Sequence, residues 1–277
     1  MAEQHRKSSR LTWALAGATV VALLVLLAVV FGRGFEQARL IDEIEAKGGQ
    51  IVFIEGAIPE WVEDRLPASW FHRLRRMFGQ IESVSAGGEW FDDGIVMRAS
   101  GFLGVPIVHF EDASLTDRGV ETLASNPHLR WLHLTRCRIG DAGLAHLSAH
   151  NGLTVLLLDG TQVTDVGLAH LAMFSTLELL NLDDTTITDA GFAQLSKVKP
   201  LEGLSVQRCN VTAAGLESLV GLPRLKYLWL SGARLGDDVE PVLLRMPALK
   251  YVNLRDTFVS TEVIDRLRKN IASVEGP

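Results

Sequence analysis

The chain has 277 residues, 47% of them hydrophobic and 22% charged, and a formal net charge of -6. That length supports one or two units with a real core. The acidic balance supplies no basic surface for nucleic acid, and two cysteines are too few for a disulfide scaffold or a zinc knuckle.

Residues 1–10 carry Arg6, Lys7 and Arg10 and read as a short cytoplasmic tail. Residues 11–31 carry no charge at all. A helix of that length spans roughly 31 Å, close to the hydrocarbon core of a bilayer. The run therefore predicts a transmembrane helix over 11–31. The competing expectation is a cleaved signal peptide. Its apolar region is usually ~7–15 residues and precedes a small-residue cleavage site, whereas FGRGFEQAR comes next here. Basic residues before the span, against mixed charges after it, predict a cytoplasmic N-terminus with the rest outside the cytoplasm, periplasmic or extracellular. No cysteine adjoins the span, which argues against a lipid anchor.

Residues 35–104 read as a juxtamembrane and capping region. Ala38, Ile41 and Ile44 have helical spacing ahead of Gly48 and Gly49, and IVFIE then reads as a strand. Over 67–79, Trp70, Phe71, Leu74, Met77 and Phe78 share one helical face, with His72, Arg73, Arg75 and Arg76 opposite. This helix is expected to cover the first coil of a repeat array that fills the C-terminal part of the chain; a helix lying on the membrane surface is the alternative. The frame from Ile81 (IESVSAGG) reads as a degenerate first coil, and 89–104 matches no repeat.

From Val105 the chain repeats every 24 residues without insertion or deletion, with frames at Val105, Leu129, Leu153, Leu177, Leu201, Leu225 and Leu249. Positions one, four and six are apolar, nine is small, eleven is aliphatic and nineteen is always Leu. The first six positions alternate as a strand does, with four and six inward. Positions sixteen and nineteen have helical spacing. Thr at twelve is a good N-cap, and Asp at thirteen suits the positive end of a helix. Gly at fifteen lowers helix propensity, so it predicts a close approach between coils that a Cβ would block. Each copy is one strand, a turn and one short helix. None can bury its apolar side alone, so residues 105–277 are expected to stack into a solenoid with a parallel sheet.

The pattern L-x-x-L-x-L-x-x-(C/T/A)-x-(I/V/L)-T-D-x-G-L-x-x-L resembles the leucine-rich repeat family, and most of all its cysteine-containing subtype. The resemblance implies an α/β solenoid with the sheet on a concave face and short helices on the convex one. The whole chain more loosely resembles membrane-anchored bacterial proteins of that family, through IDEIEAKGGQIVFIE and PASWFHRLRRMFG. Val239 and Glu240, and then Thr261 and Val263, break the pattern in the last two copies, so an irregular helical edge is expected there.

No Gly-x-Ser-x-Gly, P-loop, H-E-x-x-H or C-x-x-C pattern occurs, so no enzyme and no cofactor are expected. Cys137 and Cys209 both hold position nine, three coils and about 14 Å apart, too far for a disulfide. They read as buried thiols. His109 and His133 share position five, and His146 and His170 share position eighteen. Recurrence alone places such copies side by side, and no metal is assigned to them. Asn210-Val211-Thr212 matches a glycosylation sequon, informative only in a eukaryotic secretory pathway.

Positions three and five point from the sheet away from the core. The expected partner surface is Trp131, His133, Val155, Leu157, Leu179, Asn181, Tyr227, Trp229, Tyr251 and Asn253. Exposed Trp and Tyr are common binding anchors; mutual packing to stabilise the sheet is the plainer reading. The expected function is a membrane-anchored, non-enzymatic module for a protein or peptide partner. A self-associating cell-envelope protein is the alternative, and a receptor like F-box proteins is disfavoured by the apolar span.

Overall fold

The computed structural model describes residues 33–53, 80–100 and 104–276. The expected span over 11–31 and the helix over 67–79 lie outside the described residues. Among those described, no helix is long and apolar enough to cross a membrane. The chain divides into two compact units, Met1–Lys47 with Phe53–Gln80, and Gly48–Val52 with Ile81–Pro277.

In the first unit a helix runs over 33–46, and Leu40, Ile41 and Ile44 are buried on one side of it. Ala38 is only half-buried. Gly48 comes just after the helix with φ at +89°, a conformation that glycine adopts without a Cβ clash.

The second unit is built on one sheet whose strands follow chain order, β1 to β10. They are β1 Gln50–Phe53, β2 Ile81–Gly87, β3 Ile107–Glu111, β4 Trp131–Thr135, β5 Val155–Leu157, β6 Leu179–Asn181, β7 Gly203–Ser205, β8 Tyr227–Trp229, β9 Tyr251–Asn253 and β10 Ser273–Glu275. From β2 onward every neighbouring pair is parallel. The register joins equal positions of successive frames, as in Leu132 to Leu156 to Leu180 to Leu204. A constant repeat length with no slip puts every inward leucine on another.

The core runs the length of this stack. Leu156, Leu180 and Leu228 at position four, and Leu115, Ile139 and Leu235 at position eleven, are fully buried. Burying each such side chain is worth about 1.5–3 kcal/mol. The short helices close the other side: Asp117–Ala124, Asp141–Leu147 and Asp189–Leu195 each turn Gly, an apolar residue and Leu inward.

The expected tight packing at position fifteen holds, and its cause is a carboxylate. Where position thirteen is Asp, it reaches forward to the next coil. Asp165 accepts from the Thr188 amide at 2.9 Å and the Thr188 hydroxyl at 2.6 Å. Asp93, Asp141 and Asp189 repeat the pair of bonds on Thr116, Thr164 and Thr212. A Cβ on Gly191 would lie 2.5 Å from Asp165 Oδ1, which takes the amide bond. Helix-start electrostatics is thus not the main work of this Asp. It ties coil to coil, and Gly leaves the space.

The solenoid starts earlier than its leucines show. Ser83 pairs with Ile107 in the 24-residue register, and a helix Asp93–Ala99 comes after it. Phe91, Asp92, Asp93, Val96 and Ala99 fill positions eleven, twelve, thirteen, sixteen and nineteen of a frame at Ile81. Residues 89–100 therefore do follow the repeat, with the leucines replaced and the Asp link intact. Position fifteen there is Ile95, and Asp92 takes the capping role of Thr by accepting from the Ile95 amide at 3.1 Å. At the far end, β10 adds a strand only 22 residues on, Ser273 against Tyr251. The irregular edge is at Asp237–Val239, a 3-10 turn before Glu240–Leu243. The last copy instead forms a regular helix, Thr261–Leu267, capped by Ser260.

Candidate interaction surface

Strand alternation sends positions three and five to the open face of the sheet. Two large side chains stand out there: Trp131 is 52% exposed and Tyr227 40%. Trp131 lies between Ile107 and Val155, and Tyr227 between Gly203 and Tyr251. The remaining expected contact residues, His133, Val155, Leu157, Leu179, Asn181, Trp229, Tyr251 and Asn253, are half-buried. They do not form one uniform strip. Trp229 stacks against Tyr227 at 6.1 Å between ring centroids and packs tilted against Tyr251 at 5.7 Å. Gly203 makes this possible, because a Cβ there would meet Leu179 Cδ1 at 2.7 Å and the Trp229 ring at 3.3 Å. Gly203 and Ser205 are consequently buried under their neighbours. Packing among themselves thus accounts for Trp229 and Tyr251. Two polar members also serve the fold. Asn181 accepts from the Asp183 amide at 2.8 Å, and Asn253 from the Arg255 amide at 2.9 Å, turning the chain out of its strand.

The strand exits form a polar rim. Position eight takes positive φ in every frame from Val105 on: Asp112, Arg136, Gly160, Asp184, Arg208, Gly232 and Asp256. The order Asp, Arg, Gly recurs every three coils. Arg136 forks onto Asp112 through Nε at 2.7 Å and an Nη at 2.8 Å, and also reaches Glu111. Arg208 forks onto Asp184 in the same way. Each arginine holds its aspartate well below the usual carboxylate range, chiefly by hydrogen bonding. The Gly in the next coil gives the arginine stem room, since a Cβ on Gly160 would sit 2.8 Å from Arg136 Cγ. Beside this line Asp183 is buried. Burial raises its pKa, against donors from Ser205 Oγ at 2.6 Å, the Gln207 amide at 2.6 Å and Gln207 Nε2 at 2.9 Å.

With strand, turn and helix recurring in one register, a family model settles the coil's type: leucine-rich repeat, matched at residues 125–148. The coil matched there is similar to a leucine-rich repeat, and its strand and turn recur in one register along the stack. No curated protein sequence matches it. Among solved structures, an internalin from Listeria monocytogenes is similar, with 16% identity and a TM-score of 0.45. The match covers 64% of this chain and 62% of that one, so it spans under two thirds of the internalin structure.

Within this leucine-rich repeat sheet the paired histidines are stacked. The His109 and His133 rings lie 4.0 Å apart and 10° from parallel. Parallel rings do not aim their lone pairs at one point, and among the described residues no group of three or more His, Cys, Asp or Glu could hold a metal. His133 Nε2 bonds the Thr135 hydroxyl, which donates to Asp159 at 2.9 Å. Burial first, and then the His109 ring, push the His133 pKa below its ordinary value. His109 Nε2 is buried without a hydrogen bond, 3.9 Å from a Glu111 carboxylate oxygen. The other expected pair, His146 and His170, falls in the helical segments Asp141–Leu147 and Gly167–Met173.

Both thiols of the leucine-rich repeat stack are free and buried. Cys209 Sγ donates to Leu182 O of the preceding coil at 3.1 Å. Thr185 at the same position donates to Leu182 O of its own coil at 2.6 Å. Burial pushes the Cys137 thiol up to about 11, far from the thiolate a nucleophile needs.

The position-eight ladder is a feature that apolar periodicity does not disclose. Its signal is nonetheless present in the chain, as Asp, Arg and Gly recurring at a spacing of three repeats.

Proposed function

We propose that the chain is a non-enzymatic interaction module whose open sheet face binds a protein or peptide partner. The observation that carries this reading is the exposure of Trp131 and Tyr227 on a face lined by apolar and aromatic side chains. Aromatic side chains of this kind supply most of the energy in many interfaces. The open strip is small. Seven coils at ~4.8 Å give about 29 Å of width, and a strip ~10–15 Å tall then covers roughly 300–450 Å² in projection, below the ~800 Å² per partner of a standard interface. A partner therefore also touches the rim, or binds with help from confinement at a membrane. The second half of the proposal is that confinement: residues 11–31 hold the module at a membrane, with the repeats outside the cytoplasm.

The test is covalent capture in whole cells, with identification of the captured proteins. Trp131→Ala with Tyr227→Ala should remove the specific partner while the thermal melt stays cooperative. Unchanged capture by the folded double variant would reject the open face as the site. Protease accessibility in intact cells checks the topology separately.

A further inference from the structure

The open face is one of three parallel tracks, because every repeated position becomes a line along the solenoid. At the strand exits, with Asp183 buried, positions seven and eight expose Glu111, Asp112, Asp159, Asp184 and Asp256 against Arg136, Arg208 and Arg255. This line is acidic. At the strand entries, Arg130, Arg224, Lys226 and Lys250 stand against Glu178 and Glu202. Glu202 is already shared by Arg224 and Lys226, so this line is basic in excess. Between them runs position three, which carries no charged side chain and reads Ile107, Trp131, Val155, Leu179, Gly203, Tyr227 and Tyr251. Positions two and eight are about 20 Å apart along a strand, and a helix with side chains is about 10–12 Å across.

We propose that the occupant of this face is a single amphipathic helix lying across the strands, with an apolar stripe flanked by basic residues on one side and acidic residues on the other. This deepens the reading of the open face as a partner site and rests on it. An extended segment has only two faces, alternating at each residue, and cannot address three tracks at once. A helix presents side chains all round its axis. Trp131 and Tyr227 share position three and stand four coils apart, about 19 Å along the solenoid. At ~1.5 Å per residue, a helix spanning both needs about 13 residues. Its basic flank lies on the strand exits and its acidic flank on the strand entries, which fixes one direction of docking for a given sequence. Charge at both rims also makes association depend on salt.

The experiment is a displayed library of 18-residue peptides on an alanine-rich helical framework, with a fixed apolar stripe and random flanks, selected on the full-length chain. Selected peptides should carry Lys or Arg on one flank and Asp or Glu on the other. Lys250→Glu combined with Asp256→Lys exchanges the polarity of one coil at constant net charge. It should weaken a selected peptide about tenfold by fluorescence anisotropy. If that exchange lowers the melting temperature sharply, Lys250→Gln with Asp256→Asn replaces it, with a loss of about threefold expected. Peptides without charge segregation, or with unchanged affinity for the charge variants, overturn the helix assignment. Where their binding still disappears with Trp131→Ala and Tyr227→Ala, the open face itself stands. A library that yields no binder, or only binders indifferent to those two substitutions, overturns the assignment and the open-face reading together.

Discussion

Gly191 brings two effects into direct opposition. Alanine is favoured over glycine in a helix interior by about 1 kcal/mol. Here the added Cβ would sit 2.5 Å from Asp165 Oδ1 and 2.7 Å from Leu168 Cδ1. Overpacking of that kind costs about 1–3 kcal/mol, and pushing the carboxylate away weakens two charge-assisted bonds to Thr188. The clash wins, so Gly191→Ala should destabilise by about 1–2 kcal/mol in urea unfolding. In an Asp165→Ala background the same change should cost less, because the carboxylate is gone. A second residue-scale expectation concerns the thiols. With Cys137 raised to about 11 and both sulfurs buried, maleimide labelling should be negligible in the native chain and arise in step with unfolding. Labelling at the rate of a free peptide thiol would mean that the turn after β4 or β7 opens locally.

The pair of strands β3 and β4 carries the pH dependence that matters to the open face. The His133 pKa is depressed by burial and by His109, so the folded chain holds its proton less tightly than the unfolded one. Stability is then fully present above the unfolded value near 6.5 and falls as pH drops through the folded value. Leu occupies position five in the next coil, so His133→Leu fits the face. Between about pH 7.5 and about pH 5.5 that variant should lose less stability than the parent, measured as a smaller shift in urea midpoint. An equal shift in both would mean that the stack does not report pH. These strands also mark the limit of what the sequence discloses. The 24-residue register is legible because leucines at fixed positions announce themselves, and parallel pairing is its direct consequence. The first coil was hidden because Phe91, Val96 and Ala99 keep its burial at positions eleven, sixteen and nineteen, where a leucine would announce it. Likewise, Trp131 and Trp229 look equivalent in sequence. Only the structure separates them, since Trp229 fills the space over Gly203 and Trp131 has no such hollow to enter.

A stack in which each coil touches only its neighbours has a stability that grows with coil number, provided each new interface is a native one. The position-eight ladder says which additions meet that condition. Asp, Arg and Gly recur every three coils, and each Arg needs an Asp before it and a Gly after it. Duplicating residues 129–200 adds three coils and keeps the order unbroken, so the same three residue types come again after Arg136, Gly160 and Asp184. Every interface but one of the longer chain already exists in the parent. The new one, between residues 177–200 and the copied 129–152, again sets Arg after Asp at position eight, so the urea midpoint of the longer chain should rise. Duplicating only residues 129–152 puts a second Arg136 where Gly160 belongs. Its Cβ would then lie about 2.8 Å from the first arginine's Cγ, as for a Cβ on Gly160, and two like charges would stand at adjacent positions. The steric conflict alone costs about 1–3 kcal/mol, which offsets the gain from one more buried coil. The duplicate with one extra coil should therefore melt at or below the parent, and the duplicate with three extra coils above it. Two duplicates ranked by length alone would show that the ladder is a surface ornament rather than a rule of assembly.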